Sequence, residues 1–267
     1  MTDPSTSIAV IGGSGLYTLF DPADSRVLEI STPYGTVDVT TGVLAGRSVA
    51  FLPRHGVGHT AAPHLINYRA NIWALAHLGV KAIVSTAAVG GVSPDYPPGS
   101  LVLTDQYIDR TAGRADTFYD QGSVQHLSSA DPFCPTLHEA AEDALMGRAI
   151  PTGTVVVIQG PRFSTRAESG WFGAAGAHIV NMTLYPEVPL ASELNIGTVN
   201  IAYVTDADAA PADEELSAEL VFARFAEAQP RIIAALESVV GAIPVDYEPR
   251  QLIAPAEVAA VLARSSA

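Results

Sequence analysis

Along this chain, short apolar runs of strand length alternate with longer stretches in which apolar positions recur every three or four residues. The runs near residues 7–11, 26–30, 36–44, 47–53, 80–86, 100–104, 154–158, 177–180 and 197–204 read as β-strands. Helical spacing predicts helices over Asn67–Gly79, where Ile72, Leu75, Ala76 and Leu78 share an apolar face, and over Pro135–Gly147, Arg166–Gly176, Pro186–Leu194 and Glu214–Val240. A further short helix is expected near Ala256–Arg264. Strands alternating with helices imply an α/β fold of three layers, α/β/α, and the hairpin-like stretch from 26 to 53 makes the central β-sheet mixed. No repeat or interdomain linker interrupts the pattern, so a single domain is expected over residues 1–267, with 1–6 and about 245–267 peripheral. Residues 111–133 carry little periodicity and are long for a connection, as lids and contact loops are.

Composition narrows the function. A chain of 267 residues that is 48% hydrophobic holds enough apolar mass for one large core and is short for two. Its 28 acidic against 14 basic residues, a net charge of -14, argue against nucleic acid or an anionic membrane surface as partner, because both need a basic face. A small solute is the expected ligand. The single cysteine, Cys134, rules out an intrachain disulfide and a cysteine-based metal cluster, and it fits a reducing compartment. Residues 1–7 are polar and no apolar run approaches the roughly 20 residues that a membrane span needs, so the expected location is cytoplasmic.

The first strand delivers Gly12, Gly13, Ser14 and Gly15 into a tight loop. Three familiar motifs fail there. The dinucleotide fingerprint meets Thr18 where it needs a glycine, a Walker loop would end in Gly-Lys-Ser/Thr, and a nucleophile elbow needs glycine where Leu16 stands. What remains is either a plain strand-to-helix turn or a nest of glycine amides that, with the Ser14 hydroxyl, donates to a small tetrahedral anion. Arg54 and His55 follow another apolar strand and suit a second anion clamp. His55 and His59 have the spacing of a helical metal pair, with His64 beyond, but Gly56, Gly58 and Pro63 oppose a helix; no metal is expected, and a solvated loop is the alternative. A third strand runs into small residues, Thr86 to Gly91, that leave room for a flat ligand. A fourth ends in Thr205, Asp206 and Asp208 at a sheet edge, a pattern shared by solvated turns, helix caps and paired acids.

The segments "VIGGSGLY", "PRHGVGHT", "NYRANIWAL", "DQYIDRT", "DPFCP", "QGPRFSTRAES", "NMTLYPEVPLA" and "VTDADA" together resemble the 5′-methylthioadenosine phosphorylases of the trimeric purine nucleoside phosphorylase family, over about residues 7 to 240. The resemblance implies a homotrimer, free of cofactors, that uses inorganic phosphate as co-substrate to split the N-glycosidic bond of S-methyl-5′-thioadenosine. It implies phosphate contacts from Ser14, Arg54, His55 and Thr183. At Ala87 these enzymes carry a second threonine, so only the backbone amide serves here. Ribose contact falls to Met182, and the purine pocket to Ala88, Val89, Phe163, Asp206 and Asp208. A 5′ pocket completed by a neighbouring subunit is implied at His126 of the long loop, with Val221 and Phe222 of the late helix.

These residue types suit the reaction. Breaking an N-glycosidic bond leaves positive charge on the sugar and negative charge on the departing base, so an anion is needed on one side and a proton donor on the other. Two carboxyls held close in a buried site share their protons, which leaves one neutral acid near neutral pH. By the family's pattern Asp206 serves purine N7 and Asp208 helps to accept from the 6-amino group; relatives acting on 6-oxopurines carry Asn in place of Asp206. A 6-aminopurine is therefore expected. The alternatives are a phosphorylase of adenosine or 6-oxopurine nucleosides, a nucleoside hydrolase, which needs no anion clamp, and a nucleoside-binding protein, which needs neither clamp nor acid.

Overall fold

In the first strand, β1 (Ile8–Gly12), Ile8 and Val10 pack into one apolar cluster while Ala9 and Ile11 pack into another. Alternation with both faces buried is what a central strand between two helical layers requires. The computed structural model describes residues 6–56, 58, 60–208 and 217–265. Two parallel neighbours flank β1, namely β4 (Arg47–Pro53) and β5 (Ala82–Gly91). Beyond β4, β3 (Gly35–Leu44) and β2 (Arg26–Thr32) continue the sheet antiparallel, as the hairpin pattern predicts. On the other side β10 (Gly197–Ala207) runs parallel to β5 along its whole length, and β6 (Leu101–Thr104) closes antiparallel on β10. From the far end of β5 the sheet continues through β9 (Ile179–Asn181), β8 (Thr154–Ile158) and β7 (Gln106–Arg110).

Helices α1 (Tyr68–His77), α4 (Leu184–Glu193) and α6 (Pro255–Leu262) cover one face, setting Ile72, Leu75, Leu190 and Val261 in the cluster of Ile11 and Ile83. The other face is covered by α2 (Pro135–Ala144) and α5 (Ala218–Ala242), whose Leu137, Phe225, Ile232 and Leu236 join Ile8, Val10 and Val84. Helix α3 (Arg166–Ala174) places Phe172 on Val156 and Val180. Local sequence sets the starts: the side chains of Asn67, Thr165 and Ser217 each accept from a first-turn N–H. Residues 214–216 of the expected late helix lie outside the described residues.

Two strands differ from expectation. No strand was expected at 106–110, because β7 pairs with β8 alone and is only half-buried, so it lacks a clean period of two. Strand β5 does not give way to a loop at Thr86; its small residues stay extended because β10 pairs with them as far as Gly91. The sheet divides along this stretch. β1 accompanies β5 only to Ser85, and β9 takes over that edge at Gly90, so the edge from Thr86 to Val89 has no strand partner on that side among the described residues.

Candidate active site

The division of the sheet opens a cleft of about 940 Å³, counted with its solvent-open part, and Ala87, Ala88 and Val89 form one wall. Four other strand ends converge on it. The end of β1 brings Ser14, β4 brings Arg54 and His55, β9 brings Met182 and Thr183, and β10 brings Asp206 and Asp208; the loop after β8 adds Phe163. All the residues expected at the phosphate, the ribose and the purine thus line one cavity.

At one end the groups are donors. Gly13 N–H donates to Thr86 Oγ1 at 3.1 Å, and Arg54 N–H to the Gly12 carbonyl at 3.0 Å. A Cβ at Gly13 would stand 2.7 Å from the Thr86 carbonyl oxygen, so only glycine lets loop and strand approach this closely. The buried Arg54 guanidinium donates from Nε and Nη2 to the two carboxylate oxygens of Glu187 at 2.6 and 2.7 Å, and from Nη1 to the Thr86 carbonyl at 2.8 Å. Burial pushes this guanidinium toward losing its charge; Glu187 more than offsets that and holds it above its ordinary pKa. His55 Nδ1 lies 2.9 Å from the Ala61 carbonyl, which only accepts, so Nδ1 carries a proton. Thr183 stands at the N-cap of α4 without a side-chain capping hydrogen bond, so its hydroxyl is not spent on the helix.

At the other end are the two acids, both buried. They lie at the C-terminal end of β10, where only the β5 side is still paired: β6 accompanies β10 over Asn200–Tyr203 alone, and Asp208 follows the last strand residue, Ala207. A register shift between Val204 and Asp206 brings Asp206 opposite Gly90. Thr205 Oγ1 donates to Asp206 Oδ2 at 2.6 Å and also lies 3.2 Å from the Val89 carbonyl. A Cβ on Gly90 would fall 3.0 Å from Asp206 Oδ1 and 3.2 Å from Asp208 Cβ. Phe163 is half-buried, a ring with one side on the cleft.

Val221 and Phe222, expected at the 5′ pocket, line the same cleft of this chain, because α5 begins at Ala218 beside the end of β10. His126 is exposed and is not among the cleft residues. His59 lies outside the described residues, and among those described no cluster of three or more His, Cys, Asp or Glu could hold a metal. No described helix is long and apolar enough to cross a membrane.

Several residues escaped the sequence reading. Glu187 falls within the helix expected over Pro186–Leu194, where no motif singles it out. Asn181 and Ser164 line the cleft, and their Nδ2 and Oγ atoms are buried without a hydrogen-bond partner among the described residues; their positions beside Met182 and Phe163 were the available signal. The long loop is fastened by two charged residues. Arg114 donates to the Ile158 and Gln159 carbonyls, the Gln159 side chain, the Tyr68 hydroxyl and the Tyr185 carbonyl. Glu193 accepts from Thr117 Oγ1 at 2.6 Å and Phe118 N–H at 2.7 Å.

The family model of the phosphorylase superfamily matches residues 7–241. The chain belongs to the phosphorylase superfamily. Among its relatives, the S-methyl-5′-thioadenosine phosphorylase of Mycolicibacterium smegmatis is 52% identical over 204 residues, covering 76% of this chain and 77% of that one. The purine nucleoside phosphorylase of Streptomyces coelicolor is 45% identical over 255 residues, 90% of each. In three dimensions, methylthioadenosine phosphorylase from Schistosoma mansoni in complex with adenine superposes with a TM-score of 0.82 at 34% identity, over 87% of this chain and 90% of that one.

Proposed function

We propose that this phosphorylase converts S-methyl-5′-thioadenosine and inorganic phosphate into adenine and 5-methylthioribose 1-phosphate. The observation that carries the reading is one cleft with oxyanion donors at one end and two buried carboxyls at the other, of which Asp206 accepts from Thr205 Oγ1. Phosphate sits among Ser14, Arg54, His55, Thr183 and the Ala87 amide, and its oxygen attacks C1′ of a ribose held against Met182. The electron pair of the C1′–N9 bond passes to the purine. Asp206 gives N7 a proton or a hydrogen bond as that charge arrives, and it shares with Asp208 the task of accepting from the 6-amino group. Phe163, Ala88 and Val89 bracket the ring, and Val221 and Phe222 offer the apolar surface a methylthio group prefers to water. The names of the Mycolicibacterium and Schistosoma relatives support this substrate.

The whole chain acts as one nucleoside phosphorylase domain without a cofactor, in the cytoplasm. It works as a homotrimer in which His126, exposed on each subunit, reaches a neighbour's 5′ pocket. A second reading, phosphorolysis of adenosine or 6-oxopurine nucleosides, is favoured by the name of the Streptomyces relative. Adenine release from methylthioadenosine with and without phosphate tests the proposal. Release that needs phosphate supports it, release without phosphate marks a hydrolase, and faster turnover of inosine favours the second reading.

A further inference from the structure

A guanidinium carries five N–H hydrogens. In Arg54 three are engaged, two by Glu187 and one by the Thr86 carbonyl, which leaves one on each of Nη1 and Nη2. We infer that Glu187 is a positioning residue for the phosphate subsite, holding the Arg54 guanidinium so that these two remaining hydrogens meet the incoming oxyanion. The inference rests on the phosphate reading given above.

The pair is 2.6 Å apart at its shorter contact, and the two side chains are 1% and 4% exposed. A buried ion pair is a poor source of stability, because both charges lose their hydration and apolar side chains of the same volume serve as well or better. Its place in the fold supplies the reason for keeping it. Glu187 lies four residues after Thr183 in the same segment, so the bidentate pair fixes Arg54, from the end of β4, in register with the Thr183 hydroxyl, from the start of α4. The linkage continues, since Arg54 also holds the Thr86 carbonyl while the Thr86 hydroxyl holds Gly13 N–H. Donors from three strand ends are thereby locked to one another through one carboxylate. Glu187 itself is absent from the residues lining the cleft; its charge stays behind Arg54, where it orients the guanidinium without meeting the phosphate.

The test compares KM for phosphate with KM for methylthioadenosine. Glu187→Gln keeps shape and loses charge; phosphate KM should rise about tenfold or more, the scale of a lost charged hydrogen bond, while the nucleoside KM stays within about twofold. Glu187→Asp keeps the charge but withdraws it by one methylene, so it should raise phosphate KM in the same direction and by less. If Glu187→Gln does not fold, Glu187→Asp decides alone, with binding of inorganic phosphate measured by calorimetry. Unchanged phosphate affinity, or equal rises in both KM values, overturns the positioning role. A wild type that releases adenine equally well without phosphate overturns the parent reading as well, and is seen before any variant is made.

Discussion

Replacing Asp206 by Asn separates recognition of the base from catalysis in general. Thr205 Oγ1 donates to Asp206 Oδ2 at 2.6 Å. Two acceptors lie within reach of this hydroxyl, Asp206 Oδ2 being the nearer and the Val89 carbonyl, at 3.2 Å, the other. In the variant rotamer whose amide oxygen keeps the shorter bond, the amide nitrogen stands in the place of Oδ1, on the side of Gly90 and the cleft. Two functions vanish there, the transferable proton and the acceptor for a 6-amino group. Loss of a general acid costs about 100-fold to 10,000-fold, and a buried donor facing another donor adds about 1–3 kcal/mol. With methylthioadenosine, kcat/KM should fall by about ten-thousandfold, about a thousandfold for the acid multiplied by about tenfold for the unmatched donor. With 5′-methylthioinosine the acid is lost as well, but the new amide donates to O6, so the fall should be smaller than with methylthioadenosine by about tenfold to a hundredfold. Both rates are followed by coupled spectrophotometric assays at saturating phosphate. Loss by the same factor for both substrates would mean that Asp206 only shapes the strand end, and the argument for 6-aminopurine preference would fail.

Gly90→Ala presses a methyl to 3.0 Å from Asp206 Oδ1; kcat/KM should fall by about tenfold to a hundredfold, as for a displaced catalytic group, and a melt will show whether more than about 3 kcal/mol of stability goes with it. Arg114→Ala releases the loop that carries Phe163 and should raise the nucleoside KM more than the phosphate KM, with no rescue by Lys, which cannot fork to several carbonyls. Burial raises the Glu193 pKa above 4.5, against the hydrogen bonds from Thr117 and Phe118 that lower it. The folded state then holds this proton more tightly than the unfolded chain, so the group's favourable contribution is complete below pH 4.5 and is lost as pH rises through the elevated folded value. Denaturant melts of Glu193→Gln against wild type should accordingly shift in favour of Gln between pH 4.5 and 7.

The fold was legible where burial is symmetric and the period clean. The hairpin strands and α1 follow directly from their patterns, and the strand-end positions of Ser14, Arg54 and Asp206 were apparent from apolar runs that stop abruptly. Strand β7 was hidden by its half-exposed edge position, and the extension of β5 through Thr86–Gly91 by small residues that carry no propensity signal. Glu187 and Arg114 illustrate a different limit. Each acts through a partner far away in sequence, 133 residues from Arg54 in the first case and 71 from Tyr185 in the second, and local pattern has no access to such pairs. The place of Val221 and Phe222 in the cleft was out of reach for a related reason, since no periodicity says which end of a sheet a helix start overhangs.

An unpaired strand edge ordinarily invites another strand to add to it. Between Thr86 and Val89 that edge lines the cleft instead. In the proposed reaction the substrate takes the place of a missing strand, so that each turnover finishes the sheet and then undoes it. Main-chain amides cannot be mutated away, so the phosphate contact proposed at Ala87 needs no side-chain hydroxyl. They do exchange with solvent, and because successive β5 amides point alternately to β10 and to the open edge, those of residues 86–89 that face the cleft form an occupancy gauge. In hydrogen–deuterium exchange their protection should rise with ligand as ln(1 + [L]/Kd), while that of residues 82–85, already paired with β1, stays level.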